Sequence, residues 1–68
     1  MDQETFNLSI RKFLKMVGVN SQREIEQAVQ KSIQSGKLKG EETVPVKCTL
    51  EIPSLGVRVP FDGEIRLK

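Results

Sequence analysis

The sequence predicts a small α+β protein, ordered ααββ. Three observations carry this. Apolar residues recur at helical spacing over the first half of the chain, and from Val44 onward the period changes to two. Between the halves lies "GKLKGEE", a loop bounded by Gly36 and Gly40.

Residues 3–17 form the first predicted helix. Phe6, Ile10, Phe13, Leu14 and Val17 fall in one stripe. Asp2 is placed to cap the start, Glu4 suits the first turn, and Arg11, Lys12 and Lys15 lie toward the end where the helix dipole favours cations. Gly18 then reads as a left-handed stop. The second predicted helix covers residues 22–35. Ser21 and Glu24 have capping-box spacing, and Ile25, Ala28, Val29, Ser32 and Ile33 make its stripe. Gly36 ends it.

The strands are expected at 43–52 and 57–67. Val44, Val46, Cys48, Leu50 and Ile52 alternate with polar residues or proline, "PSLG" reads as a turn, and alternation resumes from Val57. A hairpin turn at Asp62-Gly63 would mix apolar and charged residues on both faces. One long hairpin with a Pro53–Gly56 loop keeps them apart. Its register pairs Ile52 with Val57, Leu50 with Val59, Cys48 with Phe61 and Val44 with Ile65. On the other face Glu51 meets Arg58 and Lys47 meets Asp62, opposite charges directly across. Pro60 falls opposite Thr49 and Pro45 opposite Glu64, so each strand edge carries a proline. Gly63 is left open as a bulge, a bend or a turn to a third strand. A bare hairpin is barely stable in water, so both helices are expected to pack on its apolar face within a single domain, residues 1–68.

Composition narrows function. The 68 residues include 11 basic and 9 acidic side chains, for a net charge of +2. This balance argues against a protein that lives on nucleic-acid phosphates. The chain contains one Cys and no His. Ser-His and Cys-His dyads are therefore excluded, as are the usual zinc sites, and no catalytic residue, cofactor or metal is expected. "SGKLKG" lacks the phosphate-loop spacing and follows a helix rather than a strand. Glu41-Glu42 reads as a solvated charge pair, and Cys48, mid-strand on the apolar face, as a core residue. "MDQETFNL" is not a signal peptide, and no apolar run is long enough to span a membrane. A cytoplasmic protein is expected.

Two surfaces are candidates for recognition. "VGVNSQREIEQAV" has the rhythm of a helix-turn-helix, and Arg23, Gln27, Gln30, Lys31 and Gln34, with Lys37 and Lys39, could touch nucleic acid. Leu14 stands where a small residue is usual, however, and Glu24 and Glu26 lie where phosphates would be. The preferred candidate is the outward face of the first helix. There Leu8 is ringed by Arg11, Lys12 and Lys15, an apolar anchor among cations that suits an acidic protein partner. A second charged surface is the outer face of the hairpin, with Lys47, Glu51, Arg58 and Arg66. A homodimer through the helices is left open, and a membrane partner is not expected.

The segments "ETFNLSIRKFLK", "VGVNSQREIEQAV", "GKLKG", "LEIPSLG" and "GEIRL" together resemble a small bacterial family of uncharacterised proteins of about this length. The resemblance covers nearly the whole chain. It implies a stand-alone cytoplasmic protein and brings no catalytic residue or ligand with it. The expected function is a non-enzymatic protein-binding or accessory module, with weak nucleic-acid binding through residues 17–34 as the alternative.

Overall fold

The structure is a computed structural model and describes residues 1–68. It is α+β. One helix, α1 (Gln3–Gln34), precedes strand β1 (Thr43–Ile52), a 3-10 turn (Pro53–Leu55) and strand β2 (Val57–Arg66). Two compact units result, Met1–Lys37 and Leu38–Lys68.

The expected pair of helices is in fact one helix of 32 residues. Gly18 lies inside it with no left-handed backbone angle. The reason is energetic. An interior glycine costs only about 1 kcal/mol relative to alanine. A break would strand the backbone groups of two new helix ends and require a second nucleation. The flanking sequence also favours continuation, because it has no proline and is rich in Gln, Glu, Arg and Lys. The apolar stripe passes Gly18 in phase, Val17 being followed by Ser21, Ile25 and Val29, all half-buried. The capping box anticipated at Ser21 and Glu24 therefore lies in a helix interior.

The true end is at Gly36, with φ +81°. The Lys37 amide donates to the Ser32 carbonyl at 2.8 Å and the Gly36 amide to Ile33 at 3.1 Å. This doubly bonded stop needs a left-handed residue, which glycine supplies without a side-chain clash. At the other end Asp2 is the N-cap, as expected. The Glu4 and Thr5 amides donate to its Oδ1 at 3.0 and 3.3 Å, and the Thr5 hydroxyl donates to Oδ2 at 3.0 Å. The Thr5 amide, with help from the Thr5 hydroxyl and the Glu4 amide, holds the Asp2 carboxyl below its ordinary pKa.

The hairpin has the register expected from the sequence. Val44 pairs with Ile65, Cys48 with Phe61, Leu50 with Val59 and Ile52 with Val57, and both prolines lie within the ladder, opposite Glu64 and Thr49. Gly63 pairs with Val46 in an unbroken strand, so it is neither a bulge nor a turn to a third strand. The connection closes through Gly56 at φ +66°, whose amide donates to Pro53. On the polar face Arg58 and Glu51 approach to 3.6 Å. Lys47 and Asp62 stand directly opposite without closing an ion pair.

The loop before β1 has its own organiser. The Glu42 carboxylate accepts the amides of Lys39, Gly40 and Glu41, the shortest at 2.8 Å from Lys39. These bonds, chiefly that from Lys39, hold the Glu42 carboxyl below its ordinary pKa. Glu42 is thus a structural clasp rather than half of a solvated charge pair. Glu41 reaches Lys68 at 3.3 Å.

No side chain in either unit is buried. Cys48, expected in a core, is exposed. It does lie on the apolar face, but its cross-strand neighbour Phe61 is itself 57% exposed. The fold has arranged apolar faces without enclosing them.

Candidate functional site

Continuity of α1 determines what its outward face contains. Positions three and four apart on a helix are neighbours. Leu8 is therefore flanked by Arg11 and Lys12, and Lys15 lies one turn beyond, next to both cations. The structure brings the four predicted residues together on one side of the helix. Leu8 is 61% exposed, and Arg11, Lys12 and Lys15 are exposed as well. None of the three cations is engaged in an ion pair.

One member of this face escaped the sequence reading. Val19 follows Lys15 by four positions and is 51% exposed, so the face reads Leu8, Lys12, Lys15, Val19 along its centre. Val19 was hidden because Gly18 suggested a turn there. The signal that could have found it is the apolar stripe on the opposite side, which keeps its phase across Gly18. The arrangement is two aliphatic side chains bracketing a turn of cations. Such a surface can seat an aliphatic anchor while attracting carboxylates around it.

The helix-turn-helix reading is overturned by the same continuity. Residues 17–34 contain no turn, so no second helix is set at an angle to enter a groove. Arg23, Gln27, Gln30, Lys31 and Gln34 are exposed, spread along one continuous helix. On the hairpin, Lys47, Glu51, Arg58 and Arg66 are exposed and carry both signs, with Glu51 and Arg58 paired to each other. No helix is long and apolar enough to cross a membrane.

The fold and this surface define a small α+β chain made of a long helix with two dissimilar faces and, following it in sequence, a twin-stranded hairpin. The chain belongs to the Family of unknown function (DUF6494), whose model matches residues 1–68. No curated protein and no solved structure matches it. The family is the small one, of about this length, that the sequence segments suggested.

Proposed function

We propose that this chain is a non-enzymatic protein-binding module of the cytoplasm, and that it holds an acidic partner through Leu8, Arg11, Lys12 and Lys15, extended by Val19. The observation that carries this is an exposed leucine enclosed by three exposed cations, none paired within the chain. An apolar anchor inside a charged rim is the usual anatomy of an interaction hot spot. The absence of histidine from the sequence supports a role without catalysis, since acid-base and nucleophilic sites most often depend on it.

The test is capture of partners on the immobilised full chain, with nuclease present, comparing the natural sequence with Leu8→Glu and with Arg11→Glu/Lys12→Glu. An acidic protein held by the natural chain should be lost from both variants while the circular dichroism of α1 is unchanged. A partner retained equally by all three chains would eliminate this face as the site.

A further inference from the structure

We draw no further inference here: the strongest candidate, the exposed apolar face of α1 formed by Phe6, Ile10 and Phe13, carries none because nothing in the structure shows what covers it.

Discussion

Gly18 and Gly36 are the same residue with opposite consequences, and the difference lies in what their neighbours offer. Beyond Gly36 the chain satisfies most of its amides without a helix, because Lys37 and Gly36 donate back to Ser32 and Ile33 and the Glu42 carboxylate collects those of Lys39, Gly40 and Glu41. Beyond Gly18 the helix itself remains the best partner for those groups. Nothing lies within 4 Å of the position a Cβ would take at Gly18, and its backbone angles are helical. Gly18→Ala should therefore stabilise the protein by about 1 kcal/mol, read as a rise in the urea midpoint with no change in slope. A fall in the midpoint would mean that Gly18 occupies a turn in solution. Gly36→Ala should act in the opposite sense, because alanine is strained at φ +81°.

Two elements, α1 and β1, are each fastened by a carboxylate at their start, and this gives the fold a defined response to acid. Asp2 caps α1 and Glu42 closes the loop ahead of β1, both with pKa values lowered by backbone amide donors. A carboxyl whose folded pKa is depressed stabilises the fold above its unfolded pKa, and this contribution is lost as pH falls through the folded value. The thermal midpoint should thus hold steady from neutrality to about pH 5 and decline below about pH 4, the ordinary carboxylate range. Asp2→Asn with Glu42→Gln should lower the midpoint at neutral pH and flatten the decline, as followed by circular dichroism. A doubly substituted chain with the same acid profile as the natural one would show that other groups set it. Element boundaries also mark what the sequence makes legible. The hairpin could be read down to its register because three independent signals agreed: alternation, the Glu51–Arg58 pairing, and two prolines four ladder steps apart. The join between the predicted helices had only one signal, a glycine, and a lone glycine is worth too little energy to decide between a turn and a helix. The Leu8 surface was legible because i, i+3 and i+4 neighbours are fixed once a helix is assumed. Val19 was not, because it depended on the join. The Glu42 clasp was out of reach, since it needs the loop backbone to converge on one carboxylate.

At the scale of the whole molecule, the proposed partner face should give capture a defined response to salt. Leu8 would contribute by apolar burial, which salt does not screen. Arg11, Lys12 and Lys15 would contribute through exposed charge, whose reach falls to about 8 Å at physiological ionic strength and about 3 Å at 1 M. Capture of an acidic partner should therefore weaken between physiological salt and about 1 M sodium chloride, mainly through slower association. Arg11→Glu/Lys12→Glu should remove that salt dependence along with most of the capture, whereas Leu8→Glu should weaken capture at every salt concentration. Capture by the natural chain that is indifferent to salt would mean that the three cations take no part in it, and the charged rim would have to be dropped from the site.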